Sequence, residues 1–251
     1  MARRSPRFGA DFPAVATGLD VRRAVRWLLW SMLIAIGAFA LLQLWYAAHI
    51  WWWRDHPPHE TAFMSVRLAE LRAARPDAQI QYTWVPYQRI SVNLKQAMIA
   101  AEDAKFVEHE GFDWGGMQLA MDKNLRKGRV VAGGSTISQQ LAKNLFLSGE
   151  RSYWRKGEEA LITVMLENIL DKQRIFEIYL NVIEWGNGVF GSEAAARRYF
   201  GTSAASLTAE QAARLAAMAP NPRHYERNPA SRALARKTAI ILARMPSAEL
   251  P

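Results

Sequence analysis

The sequence predicts a mostly α protein, in which a single helical domain stands behind one N-terminal membrane helix. Three observations lead there. A run of 27 residues from Trp27 to Trp53 carries no formal charge. Apolar residues recur at helical spacing through most of residues 92 to 245, and only one short stretch, QIQYTWVP from Gln79 to Pro86, alternates as a strand does. No repeat, low-complexity tract or second domain interrupts this pattern.

The elements follow in chain order. At about 1.5 Å per helical residue the apolar run reaches roughly 40 Å, more than the ~30 Å hydrocarbon core, so it is long enough to span a bilayer with some tilt. Arg22, Arg23 and Arg26 precede it, and tryptophans cluster at both ends, Trp27 and Trp30 at one and Trp45, Trp51, Trp52 and Trp53 at the other. Such rings favour the headgroup interface, and the positive-inside rule leaves the basic residues 1–26 in the cytoplasm and everything after Asp55 outside it. Ala38-Phe39-Ala40 has the form of a processing site, but apolar character continues well beyond it, which favours a retained anchor. His56-Pro57-Pro58-His59 stops the helix, so residues 27–53 are the expected anchor, 54–60 a linker and 61–251 the globular domain.

Within that domain, helices are expected over Val92 to Phe106, Met117 to Arg126, Thr136 to Phe146, Trp154 to Leu170, Lys172 to Val182, Glu193 to Tyr199, Ala209 to Met218 and Ala230 to Met245. Thr208 with Gln211 three residues on is a capping box. Lys127 to Gly134 and Trp185 to Gly191 read as glycine-containing loops.

Composition narrows the chemistry. The chain has 251 residues, 32 Lys and Arg against 23 Asp and Glu, half of its residues hydrophobic, and no Cys. A disulfide scaffold, a thiolate zinc site and a cysteine nucleophile are excluded. Residues 1–53 hold six Arg against two Asp, so part of the net charge of +9 belongs to the anchor region. The mildly basic remainder suits an anionic ligand or a membrane surface and gives no indication of nucleic acid.

Three clusters could carry chemistry. In the first, Glu102 and Asp103 close the apolar run LKQAMIAA, where partial desolvation would raise a carboxyl pKa and suit a general base; the alternative is a solvated helix end. His109, nearby, reads either as a ligand or acid or as a structural histidine bonded to a neighbouring carbonyl. In the second, Gly133 and Gly134 permit a tight turn, Ser135 can cap the following helix, and Ile137, Leu141 and Leu145 form its buried stripe. Thr136, Gln140 and Lys143 then share another face, either a phosphate or sugar cradle or an ordinary polar surface. In the third, Arg155 and Glu159 stand one helical turn apart, either an i,i+4 ion pair or a second cation and second carboxylate facing the same cleft. Two separated carboxylates with Lys and Arg suggest glycosyl chemistry on a phosphorylated sugar.

Together these motifs resemble the peptidoglycan glycosyltransferases of glycosyltransferase family 51 in their monofunctional form. Glu102, Asp103, Phe106, His109 and Gly111 match the first family motif. Gly134, Thr136, Gln139, Gln140, Lys143 and Asn144 match the second, and Arg155, Lys156, Glu159, Leu166 and Glu167 the third. Lys172, Ile175, Glu177 and Tyr179 to Asn181 match the fourth, with further matches from Gly188 to Gly201. The resemblance implies a lysozyme-like, two-lobed glycosyltransferase domain that polymerises lipid II onto a growing lipid-linked glycan chain, at the bacterial inner membrane with the domain in the periplasm. By that resemblance Glu102 is the base, and Lys143 and Arg155, helped by Thr136 and Gln140, hold the donor pyrophosphate. Glu159 is a second catalytic carboxylate that orients substrate or binds a divalent ion (Mg or Mn). Asp103, His109 and Asn144 attend the substrate site, and Phe106 packs. The one cofactor that the resemblance leaves open is that divalent cation, near the donor pyrophosphate. The protein partners the resemblance implies are cell-wall synthesis or division proteins. The chain contains no Ser-x-x-Lys and no Lys-Thr-Gly, so no transpeptidase is expected. The rival readings are a lytic transglycosylase or muramidase, and an inactive scaffold in a wall-synthesis complex.

Overall fold

The computed structural model describes residues 18–129, 133–147 and 152–251. Residues 1–17 of the expected cytoplasmic segment and residues 130–132 of the expected Lys127–Gly134 loop lie outside the described residues. The chain divides into two units, Met1–Trp45 and Tyr46–Pro251. In the first, helix α1 (Gly18–Trp52) begins; its stretch Val21–Trp52 has a mean hydropathy of 2.0 and is the one described helix long and apolar enough to cross a membrane. From Val21 to Leu42 every side chain is exposed, as suits a segment whose partner is lipid rather than protein.

The second unit is mostly α. It starts inside the apolar run, because Tyr46, Ile50 and Trp53 are buried in its core, with Tyr46 and Trp53 against the Phe146 ring at centroid distances of 4.9 and 5.1 Å. Arg174 donates to the backbone oxygens of Trp53 (2.8 Å) and His56 (2.7 Å), and Tyr82 donates to that of Pro58 (2.6 Å). Residues 53–58 are therefore fastened to the fold. Hydropathy could not mark this boundary, since an apolar side chain reads the same whether it faces lipid or protein.

The remaining helices are α2 (Ala62–Ala74), α3 (Val92–Glu102), α4 (Trp114–Lys127), α5 (Ile137–Phe146), α6 (Tyr153–Ile169), α7 (Lys172–Val182), α8 (Ser192–Phe200), α9 (Ala209–Met218), α10 (Pro222–Arg227) and α11 (Arg232–Arg244). Side-chain caps explain most starts: Thr61, Ser91, Asp113, Ser152 and Asp171 each accept a first-turn N–H, and Thr136 and Thr208 form full capping boxes with Gln139 and Gln211. The cap of α5 is therefore Thr136, not the Ser135 expected from sequence, because only Thr136 has a Gln at the third helical position. Helix α3 stops at Glu102, four residues before the expected Phe106, because Asp103 leaves helical geometry to bind elsewhere. Sequence reading missed α2 and the short α10. It also took Trp185 to Gly191 for a loop. There β2 (Glu184–Gly186) turns back on β3 (Val189–Phe190), with β1 (Gln81–Tyr82) parallel to β3 on its other side.

Two helix groups result. Helices α3, α9 and α11 pack together, and α5 packs against α2, α6 and α7. Phe106, Phe176, Tyr179, Trp185 and Phe190 are the large side chains filling the common core. Glu102 ends a helix of the first group, and Gln140 lies on a helix of the second.

Candidate active site

Asp103 joins these groups. Its carboxylate accepts the Ile137 N–H (3.0 Å) at the start of α5 and faces His109 Nε2 at 3.1 Å. A carboxylate is favourable there because helix N-termini present unsatisfied N–H groups and positive potential. The Gly111 N–H donates to His109 Nδ1 (3.2 Å), so the ring proton lies on Nε2 and is given to Asp103. The partner of His109 is thus a carboxylate rather than the carbonyl expected of a structural histidine. The turn after it depends on glycine. Gly111 has φ +89°, and a Cβ there would come within 2.8 Å of Thr163 Cγ2. The Thr136 hydroxyl donates to the Gly111 oxygen (2.7 Å), and Lys172 donates to the His109 oxygen while pairing with Glu167. Phe106 is fully buried, under the Lys172 ammonium (4.6 Å from the ring centroid) and beside Phe176.

Held by this scaffold, Glu102 is recessed but not sealed. Its Oε2 accepts a hydrogen bond from Gln140 Nε2 (2.8 Å), and Gln140 Oε1 in turn accepts one from the Tyr179 hydroxyl (3.0 Å). The tyrosine fixes which end of the amide meets the carboxylate. Burial pushes the Glu102 pKa up, as does Asp103 to a smaller extent; the Gln140 bond and the charges of Lys237 and Lys143 hold it down. Tyr179, enclosed and next to Glu102 and Asp103, is held well above its ordinary value and stays a donor.

Three recesses surround this pair. The first, about 220 Å³, is lined by Glu102, Asp103, Lys105, Asp113, Gly134 and Thr136 among others. The second, about 580 Å³, includes Gln140, Lys143, Asn144, Arg155 and Tyr179 at one end and Glu184, Asn221 and Arg223 at the other. The third, about 180 Å³, has Glu102, Lys237 and Arg244 in its wall. Gln140, Lys143, Asn144 and Arg155 are therefore brought together, whereas Thr136 opens onto the recess beside Glu102. It is the N-cap rather than a residue of the helix, so the i,i+4 expectation does not apply to it.

Arg155 is 19% exposed, and its buried Nε has no hydrogen-bond partner among the described residues. Glu159 is 4% exposed; Lys156 pairs with it closely and Arg155 Nη1 lies 3.9 Å away. Among the described residues no group of three His, Cys, Asp or Glu side chains converges. Glu159, the residue that resemblance puts next to a divalent ion, is engaged by two cations, so its surroundings do not fit a metal ligand. From sequence Tyr179 was noted only as part of the fourth motif, and Lys237 was given no role. Membership of that motif is the signal that could have marked Tyr179; nothing in the sequence links Lys237 to Glu102, 135 residues away.

In this mostly helical domain a recessed carboxylate is hydrogen-bonded to a side chain at the edge of a cavity lined by Lys143, Arg155 and Arg223 together with Glu70 and Glu184. The sequence model of the family described as Transglycosylase matches residues 69–246, and the chain belongs to that family of enzymes. It is 65% identical over 226 residues to a protein of Dechloromonas aromatica (strain RCB) named biosynthetic peptidoglycan transglycosylase, covering 90% of this chain and 98% of that one. Proteins of the same name from Chromobacterium violaceum (89% of this chain, 99% of that one) and Methylobacillus flagellatus (90% and 100%) are each 60% identical.

Proposed function

We propose that this chain polymerises lipid II into β-1,4-linked glycan, with Glu102 as general base and Lys143 and Arg155 as the pyrophosphate clamp. The acceptor sugar's 4-hydroxyl gives its proton to the Glu102 carboxylate as its oxygen attacks the donor's anomeric carbon. The bond from that carbon to the lipid diphosphate breaks, its electron pair leaves with the diphosphate, and the stereochemistry inverts. Lys143 and Arg155 offset the charge gained by the departing group. Glu159 holds Arg155 and Lys156 in place, and Asn144 flanks the clamp. Asp103, His109, Thr136 and Phe106 fix the ground on which Glu102 and α5 meet.

The observation that carries this reading is Gln140, whose amide donates to Glu102 while its side chain lines the cavity shared by Lys143 and Arg155. Base and clamp are thereby neighbours across one side chain. A lipid-linked substrate also suits a chain with one bilayer-length apolar helix. The arginines before that helix orient residues 1–26 to the cytoplasm and the domain to the periplasmic side of the inner membrane. The test is to incubate purified protein with labelled lipid II and look for polymer that lysozyme digests. Glu102→Gln should lower the rate by about 10² to 10⁴-fold with the fold intact. Full activity in that variant would remove Glu102 from the chemistry.

A further inference from the structure

We propose that Lys237 on α11, with Arg244 one cavity wall away, is a positioning residue for Glu102, and that the small recess they share is the route by which the acceptor's proton leaves. This rests on Glu102 being the base. In each turnover a sugar O–H bond breaks and a carboxyl O–H bond forms, and the carboxylic acid must then lose that proton to water before the next acceptor arrives. With Glu102 as base and Lys143 and Arg155 as clamp, the two larger recesses, which those residues line, are the ones that sugars and diphosphate would occupy. Of the three recesses around the Glu102–Gln140 pair, the one left is that of about 180 Å³ between α3, α9 and α11. It has room for several waters, and its polar lining of Glu102, Lys237 and Arg244 gives them partners.

Its walls are otherwise alanine, proline and isoleucine: Ala100 and Ala101 from α3, Ala216 and Ala217 from α9, then Pro220, and Ile240 and Ile241 from α11. Small side chains on the two facing helices leave the gap. Lys237 stands over the Tyr225 ring, 5.4 Å from its centroid, which keeps the ammonium on this side of α11. A positive charge there favours the carboxylate over the acid and so favours proton release. The other charges around Glu102 are accounted for. Asp103 adjoins it and opposes this effect, and Lys143 on α5 reinforces it. Tyr179 on α7 remains protonated, and Lys105 and Asp113 lie in the recess of about 220 Å³. His109 is turned to Asp103.

The experiment measures the pH dependence of lipid II polymerisation by the full-length protein and its Lys237→Gln, Lys237→Arg and Glu102→Gln variants, at low and high salt. Lys237→Gln should move the acid limb of kcat to higher pH, leave KM and the melting temperature unchanged, and recover with Arg. Added salt should move the wild-type limb in the same direction and that of Lys237→Gln less, because an exposed charge is screened. A Lys237→Gln profile that superimposes on the wild type, or a loss equal at every pH that Arg does not rescue, would overturn the proposal. If Glu102→Gln is inactive in those same assays, only the role of Lys237 falls; if it is active, the reading of the base falls first.

Discussion

Replacing Tyr179 by Phe tests the geometry of the base with the smallest change. The ring is buried between α5 and α7 and stacks with Phe176, so Phe keeps the packing and deletes one hydroxyl. That hydroxyl is the donor to Gln140 Oε1 at 3.0 Å. Without it a partly enclosed amide oxygen loses its partner, a loss of about 1–3 kcal/mol, and the amide is free to rotate its oxygen toward Glu102, where it repels the carboxylate. If the whole loss falls on the transition state, kcat drops by roughly 5- to 150-fold. The lost Gln140 bond also stabilised charged Glu102, so its pKa rises further and the acid limb of kcat moves to higher pH. Initial rates of lipid II polymerisation against pH, with thermal unfolding as a control on folding, measure both effects. Wild-type kcat with an unmoved acid limb would refute the argument that Tyr179 sets the amide and the amide sets the base.

Because burial holds the folded-state pKa of Glu102 above its unfolded value, the folded protein binds more protons there and stability falls as pH rises through that window. Glu102→Gln should therefore melt at a higher temperature than the wild type at neutral pH while losing activity, and a lower melting temperature would contradict the desolvation argument. Gly111→Ala forces a positive φ on a side-chain-bearing residue with its Cβ 2.8 Å from Thr163, and should cost about 1–3 kcal/mol in urea unfolding, partly relieved by Thr163→Ser. Arg155→Ala should weaken use of the pyrophosphate-linked donor more than it weakens stability; unchanged donor kinetics would count against the clamp. Asp103→Asn removes the anionic acceptor at the start of α5 and should destabilise the fold by about 1–2 kcal/mol, read from chemical denaturation.

Local signals in the sequence determined a good deal. The apolar run marked the membrane-length helix, periodicity located seven of the helices to within a few residues and α3 by its start, and α7 and α9 appear with the bounds read from the chain. The capping box at Thr208 and Gln211 formed as its spacing required. The residues of the candidate site could be picked out as well, since Glu102, Gln140, Lys143 and Arg155 lie in compact motifs. What sequence could not supply was the relation between distant segments. That Asp103 would leave α3 to accept the Ile137 N–H at the start of α5, that Tyr179 would donate to Gln140, and that Lys237 would share a cavity with Glu102 are facts about residues 34 to 135 positions apart. The short strands around Phe190 and the burial of Tyr46, Ile50 and Trp53 belong here as well. Periodicity and capping are set by neighbours along the chain. Which carboxylate is desolvated, and which cation stands near it, is decided by packing of helices that close the gap between them only in the folded state.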